Sequence, residues 1–425
     1  MNTHRFASLI TCLPLLGCLA CQAPSSHLDL LRDSAKLRET ETGAEVSGTI
    51  IPNLVLGYVD RNGNTEFLSY GSLSLEDPRP VDEDTLFGIA SMTKAITATA
   101  ALQLVEQGKI GLDQPIEAIL PEIRQIGILQ EDGSTLEPKI PLTLRHLLCH
   151  TSGFAYFFTS PVVAKEVQTD PATGFPLPDE IAEGEYDWGF DLQPRRVFEA
   201  GEAWIYGRSL GIAGRLIERI SGEDLDTYFK RHIFEPLGMD RSGYNVSKEL
   251  MKERASLHMR EPVSGELTLA PDMRPFPMER FYGGGDLLST PKDYATFLRC
   301  MLNEGELDGV RILDSELTSL FFSDQLPAEV TVKLPSFGQI GLPRRSITEE
   351  FDDGHSLAWV IEVGAEDGLR PEGVGYWSGI FNTYYTVDPK NGIAIFAFSQ
   401  MLPFDDADVY EMYRSYEDKI YRALR

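Results

Sequence analysis

The chain has 425 residues, 42% of them hydrophobic, enough to bury a large core in one or two domains. Its 38 Lys and Arg against 65 Asp and Glu give a formal net charge of −27. Such a charge makes nucleic acid and anionic membrane surfaces poor partners. The acidity is spread along the chain, so it reads as a solubility feature.

The first residues carry Arg5 and then an apolar stretch from Phe6 to Ala20, too short to span a bilayer. This reads as an export leader over residues 1–21. Leu15-Leu16-Gly17-Cys18 resembles a bacterial lipobox, in which the cysteine is lipidated; Cys21 is a second candidate, and simple cleavage is the alternative. The expected location is therefore the periplasm of a bacterium, free or membrane-anchored through a lipid on Cys18. Only Cys149 and Cys300 remain in the body, which excludes a disulfide-stapled fold and leaves room for one bridge.

After the leader, "HLDLLRDSAKLRET" predicts a short amphipathic helix. "NLVLGYVD" and "TEFLSYG" read as strands joined by a tight turn at Asn62-Gly63. Next comes "SMTKAITATAALQLVEQG", free of Gly and Pro from Ser91 to Gln107 and stopped by Gly108. The pattern predicts a helix of about four turns with no polar face before Glu106, hence a buried one. Lys94 sits at its head, three residues after Ser91. Burial drives an ammonium toward the neutral amine, and an amine beside a hydroxyl is a base beside a nucleophile. Ser-x-x-Lys is the nucleophile motif of β-lactamases and penicillin-binding proteins. The alternative is a helix start whose lysine reaches back to water. A second copy, Ser289-Thr-Pro-Lys292, reads as a helix cap with Pro291 at the first turn.

Residues 116–280 change character. Pro, Gly and acidic residues crowd Phe154 to Asp191, and helical patterns stand out in "LTLRHLLCH" and "GRSLGIAGRLIERISG". His146 and His150 are four apart, a spacing that can hold a metal on a helix, but no third ligand is evident and no metal is expected. Gly207-Arg-Ser209-Leu-Gly211 matches the G-x-S-x-G nucleophile elbow, which requires surrounding βαβ units that the pattern does not supply. Gly283-Gly284-Gly285 marks either close backbone approach or a tight turn. Strands return in "SLAWVIEVG", "VGYWSGI", "NTYYTVDP" and "IAIFAFSQM", the last two joined at Asn391-Gly392, and a helix closes the chain. The fold class is α+β: an antiparallel sheet flanked by helices, from residues 28–115 plus 281–425, with an inserted, mostly helical domain over 116–280.

Six segments occur in one order: "DTLFGIASMTKAITATAALQLVEQGKIGLDQPI", "LTLRHLLCHTSGF", "IYGRSLGIAGRLIERISG", "IFEPLGM", "GGGDLLSTPKDYATFLRCMLNEGELDGVRIL" and "NTYYTVDPKNGIAIFAFSQ". Together they resemble the serine β-lactamase-related family, the branch similar to class C β-lactamases, DD-peptidases and family VIII esterases. The resemblance implies a β-lactamase/transpeptidase-like fold and three motifs. The first is Ser91 and Lys94. The second, Tyr-x-Asn, falls on Tyr206-Gly207-Arg208, and implies that Tyr206 is general base and acid beside Lys94; Arg208 stands where the family has asparagine. The third, Lys-Thr-Gly or His-x-Gly, is read at Trp377-Ser378-Gly379, which keeps the glycine and lacks the cation. Backbone N–H groups of Ser91 and Ile380 would form the oxyanion hole. The expected function is a serine hydrolase acting through an acyl-enzyme on a small-molecule ester or amide, foremost small carboxylic esters, without a cofactor. A β-lactamase or D-amino-acid peptidase of the same family, and an inactive envelope scaffold, are the alternatives.

Overall fold

The computed structural model describes residues 37–40, 43–46, 49–168, 177, 187, 193–261, 263–272, 274–332, 353–363 and 370–425. The expected export leader, with Cys18 and Cys21, lies outside them.

A seven-stranded sheet organises the molecule. Its strands are β1 (Asn53–Asp60), β2 (Thr65–Gly71), β3 (Gly354–His355), β4 (Val360–Ile361), β5 (Gly375–Gly379), β6 (Thr383–Asp388) and β7 (Ile393–Phe398). The spatial order is β3-β4-β5-β6-β7-β1-β2, and every pair is antiparallel. Both expected hairpins form, with Gly63 at φ 93° and Gly392 at φ 67°, a left-handed geometry that suits glycine. β7 then pairs with β1, from Ile393 opposite Asp60 to Phe398 opposite Val55, and so joins the two ends of the chain.

Alternation along these strands feeds two cores. Val55, Val59, Phe396 and Phe398 face helix α4 (Pro291–Leu302) through Tyr294, Phe297 and Leu298. Leu54, Leu56, Ile393 and Ile395 face helix α5 (Ala407–Ala423) through Met412, Tyr413, Tyr416 and Ile420. Each side chain of this kind contributes roughly 1.5–3 kcal/mol when fully buried.

Three helices complete the frame of the site: α1 (Thr93–Glu106), α2 (Leu144–Leu148) and α3 (Ser209–Ser221). α1 is buried from Thr93 to Leu104 and packs on α3, as its lack of a polar face predicts. Glycine permits a third layer between them. A Cβ on Gly283 would lie 2.5 Å from Leu210 O and 3.1 Å from Gly214 Cα, so the triple-glycine loop marks close backbone approach. The stretch between residues 116 and 280 also holds short strands. Ile128–Leu129, Thr135–Leu136, Phe154–Ala155 and Arg195–Arg196 form a small sheet, and His258–Arg260 runs parallel to Met401–Leu402.

Two predicted elements differ. Leu37–Thr40, the tail of the expected N-terminal helix, pairs as a strand with Gly43–Val46; the rest of that helix lies outside the described residues. An isolated helix that short is marginal in water, and pairing supplies the missing backbone partners. Among the described residues of "SLAWVIEVG" only Val360 and Ile361 are strand, because Ser356 Oγ accepts the N–H groups of Ala358 and Trp359, each at 3.1 Å, and folds the segment into a turn.

Candidate active site

Ser91 lies on a single 3-10 turn, Ala90–Met92, that runs directly into α1. Ala90 has φ 43°, a left-handed conformation that costs a non-glycine residue roughly 1–3 kcal/mol and recurs at functional turns. The turn is clasped by the end of β5. A Cβ on Gly379 would lie 2.5 Å from Ile89 O and 2.4 Å from Thr383 Oγ1, so only glycine lets the two backbones approach. This places Ser378, Gly379 and the exposed Ile380 next to the Ser91 turn.

The structure brings Ser91, Lys94 and Tyr206 together from the two sequence motifs. Tyr206 Oη donates to Ser91 Oγ at 2.6 Å, and Lys94 Nζ lies 3.0 Å from the same oxygen. Lys94 Nζ also donates to Gly284 O at 2.6 Å and lies 3.4 Å from Tyr156 Oη. Tyr156 Oη in turn lies 2.9 Å from Tyr282 Oη. The ammonium position sits 4.8 Å from the centroid of the Tyr206 ring.

Electrostatics favour the neutral forms. Lys94 is 1% exposed, and burial pushes its amine well below the usual lysine value; Asp286 opposes this and Arg208 adds to it. Burial likewise raises the Tyr206 phenol, against the opposing hydrogen bond to Ser91. A neutral amine has two N–H groups and one lone pair. Gly284 O and Tyr156 Oη take the two N–H groups, and the lone pair is left for the Ser91 proton. Ser91 Oγ receives the Tyr206 O–H. The constellation can therefore withdraw a proton from Ser91 on one side while a phenol stands ready to give one on the other.

Trp377 lies on β5, 8% exposed, with its ring centroid 5.0 Å from that of Tyr206; its indole N–H is buried and acts as a weak donor toward the Tyr206 phenol. Arg208 precedes α3 and spreads its guanidinium over Tyr156 and Tyr282, at 5.6 and 5.8 Å from the ring centroids. Behind Tyr206 stands an aromatic box of His150, Trp204 and His355, with His150 5.0 Å from the Tyr206 ring. Burial holds His150 well below the usual histidine value and lowers His355 to about 4, so both rings are neutral.

Other sequence candidates resolve against chemistry. Ser209 is fully buried at the start of α3 with its hydroxyl 2.7 Å from Ser152 Oγ, so it is no exposed elbow nucleophile. Thr290 caps α4 by accepting from Asp293 N, with Pro291 in the first turn, which accounts for the second Ser-x-x-Lys copy. His146 belongs to the capping box of α2 with Thr143, and His150 to the aromatic box, so they do not share a ligand. Among the described residues no group of three His, Cys, Asp or Glu side chains is placed to hold a metal ion. Cys149 and Cys300 are free, buried thiols. Tyr156 and Tyr282 are site groups that sequence patterns did not single out, and the triple glycine was read for backbone approach and not for the carbonyl that Gly284 offers Lys94; "FAYFF" and "FYGGG" carry them.

The chain resembles known proteins over most of its length. The family model described as Beta-lactamase matches residues 43–415. Monacolin J acid methylbutanoyltransferase of Aspergillus terreus is 27% identical, covering 92% of this chain and 96% of its own. Lovastatin esterase of Penicillium rubens is 28% identical, covering 81% and 87%. Among solved structures, unliganded simvastatin synthase from Aspergillus terreus superposes with a TM-score of 0.73 at 26% identity, covering 88% of this chain and 95% of that one.

Proposed function

We propose, from the premise that this chain belongs to the Beta-lactamase family, that it is a serine hydrolase acting through an acyl-enzyme on small carboxylic esters. The observation that supports this most is the buried Ser91–Lys94–Tyr206 cluster, with 3.0 and 2.6 Å contacts to one hydroxyl oxygen. In the proposed cycle Ser91 Oγ attacks the ester carbonyl as its proton passes to Lys94. The oxyanion is received by the backbone N–H groups of Ser91 and Ile380. The leaving alcohol takes a proton from Tyr206, which Lys94 replenishes. Water then reverses the proton path and releases the acid, with no cofactor involved.

The third motif argues for esters over β-lactams. A β-lactam or a peptidoglycan stem peptide brings a carboxylate, and a charge-assisted hydrogen bond to it is worth about 1.5–3 kcal/mol, or ten- to a hundredfold. Trp377 supplies an apolar plane and one buried N–H in place of that cation. A second reading keeps the acyl-enzyme and replaces water by an alcohol; the name of the Aspergillus terreus methylbutanoyltransferase, which describes acyl transfer for that relative, favours it.

Fluorophosphonate labelling followed by peptide mass spectrometry tests the nucleophile: an adduct on Ser91 is expected, and an adduct elsewhere sinks the mechanism. p-Nitrophenyl butyrate should be cleaved with a higher kcat/KM than a chromogenic cephalosporin, and Trp377→Lys should narrow the gap. A cephalosporin that outpaces the ester would overturn the substrate class. Added butanol that diverts the acyl group into butyl butyrate would support the transfer reading.

A further inference from the structure

Among the described residues Lys94 Nζ has three oxygen partners, two of them supplied by the Ser91 motif and by the main chain that passes beside α1. Ser91 Oγ is the nucleophile, and Gly284 O is main chain fixed by the glycine-only packing of its loop. The third is the hydroxyl of Tyr156, a side chain from a different segment, 62 residues away. Its ring stacks on Phe158 at 4.7 Å and meets Tyr206 edge-on at 5.3 Å. Its hydroxyl is held 2.9 Å from that of Tyr282, the residue that leads into the triple-glycine loop. Arg208 lies over both of these rings.

We infer that Tyr156, oriented by Tyr282, is a positioning residue for Lys94: its hydroxyl oxygen holds one N–H of Nζ and keeps it paired in the ammonium that forms when Ser91 gives up its proton. The inference rests on the acyl-enzyme reading of Ser91 and Lys94. The balance of the step is simple. The Ser91 O–H bond breaks, a third N–H bond forms on Nζ, and the Oγ electron pair forms the new bond to the acyl carbon. Before that transfer the amine needs two acceptors. After it, three N–H groups point at Gly284 O, Ser91 Oγ and Tyr156 Oη. In a site where Lys94 is 1% exposed, an ammonium N–H without an acceptor is costly. The 3.4 Å separation is long for the resting amine and has room to tighten as charge develops. Tyr156 can accept this bond when its own proton is given to Tyr282, a direction that the 2.9 Å pair of hydroxyls allows.

The groups that face Lys94 are few and come from every surrounding element. They are Ser91 on its own turn, Tyr156 after the small-sheet strand, Tyr206 and Arg208 before α3, and Asp286 on the glycine loop, with Tyr282 behind Tyr156. His150, at the end of α2, also feels its charge. Of these, Tyr156 accepts directly from Nζ and can be altered without touching the nucleophile or the proton donor.

The test is the pH dependence of kcat/KM for p-nitrophenyl butyrate in Tyr156→Phe, Tyr282→Phe and the double variant. The acid limb reports the pH at which Lys94 gains a proton in the free enzyme. Loss of an acceptor for the ammonium makes Lys94 a weaker base, so Tyr156→Phe should move the limb about one pH unit lower. The plateau should fall about tenfold, the loss carried by kcat and not by KM. Tyr282→Phe should move the limb in the same direction by less. The double variant should match Tyr156→Phe alone, because Tyr282 acts only through Tyr156. An unmoved limb in Tyr156→Phe, or a loss confined to KM, overturns the inference. Should that variant misfold, Tyr282→Phe keeps the Tyr156 ring in place and decides by the same criterion. A Ser91→Ala protein measured in parallel separates the two claims. Full activity there would fail the acyl-enzyme reading itself, whereas an inactive Ser91→Ala beside an unmoved Tyr156→Phe limb fails only this one.

Discussion

Gly379→Ala tests whether the clasp between β5 and the Ser91 turn builds the oxyanion hole. The added methyl would lie 2.5 Å from Ile89 O and 2.4 Å from Thr383 Oγ1, against the 3.4 Å at which ordinary contact begins. Neither neighbour is the loose end of a long side chain. Ile89 O is main chain beside the strained Ala90, and Thr383 is fully buried at the start of β6, paired with Gly379. The two backbones must therefore part by about 0.9 Å. That displacement would carry the Ile380 N–H away from the Ser91 N–H and break up the proposed oxyanion hole. A misplacement of about 1 Å, or loss of one oxyanion donor, costs on the order of a hundredfold. Stability should fall by about 1–3 kcal/mol, the usual cost of overpacking.

The assay pairs kcat/KM for p-nitrophenyl butyrate with the fluorophosphonate labelling rate, both normalised to folded protein. Gly57→Ala is the control. Its Cβ would lie 1.9 Å from a Phe396 ring carbon, so it too overpacks the sheet, but on β1 and away from the Ser91 turn. The control should lose stability and keep its rate per folded molecule. A Gly379→Ala protein that folds and labels at the rate of the unaltered chain would refute the reasoning.

Three further outcomes are expected. Tyr206→Phe removes the hydroxyl 2.6 Å from Ser91 Oγ and should lower kcat by about 10²–10⁴ with little change in KM, read by steady-state kinetics. Ser209→Ala should leave labelling at Ser91 intact and lower the melting temperature, because Ser152 Oγ loses its 2.7 Å partner in a buried site, at a cost of about 1–3 kcal/mol. If Cys18 is lipidated, the chain expressed from its own leader should partition into detergent with membranes, and Cys18→Ser should shift it to the soluble fraction; a soluble unaltered protein would sink the anchor.

The parts of this molecule legible in its sequence are those where one segment's pattern decides the outcome. The turns at Asn62-Gly63 and Asn391-Gly392 need left-handed glycine, and both hairpins form. α1 has no polar face, and it is buried from Thr93 to Leu104. Ser91 and Lys94 are three apart and meet through local helical geometry. Tyr206 became legible through the resemblance of its flanking segments, because nothing local distinguishes a catalytic tyrosine from a packed one. What stayed hidden depends on contacts between segments with no common period. Tyr156 reaches Lys94 across 62 residues and Tyr282 across 126, and loop geometry sets both meetings. The Ser356 turn escaped notice because a hydroxyl that caps two N–H groups competes locally with the strand that "SLAWVIEVG" suggests.

The departures at positions 208 and 377 share a physical logic. Lys94 can take a proton only while it is neutral, and, against the pull of its oxygen acceptors and the Tyr206 ring toward the charged form, burial away from water keeps it so. Every cation nearby strengthens that tendency, and Arg208 does so from the rim, spread over two tyrosine rings, while Asp286 works against it. A second cation on β5, at position 377, would add to the positive field that opposes Lys94 as a base and would stand beside the Tyr206 ring. Trp377 adds no charge there. Positive charge around the Ser91 cluster thus lies on the Arg208 side, and the β5 side is an indole plane. An ester that presents an apolar group to β5 meets this distribution without desolvating a carboxylate against an aromatic wall, whereas a substrate with its carboxylate toward β5 would carry that cost into the acylation transition state.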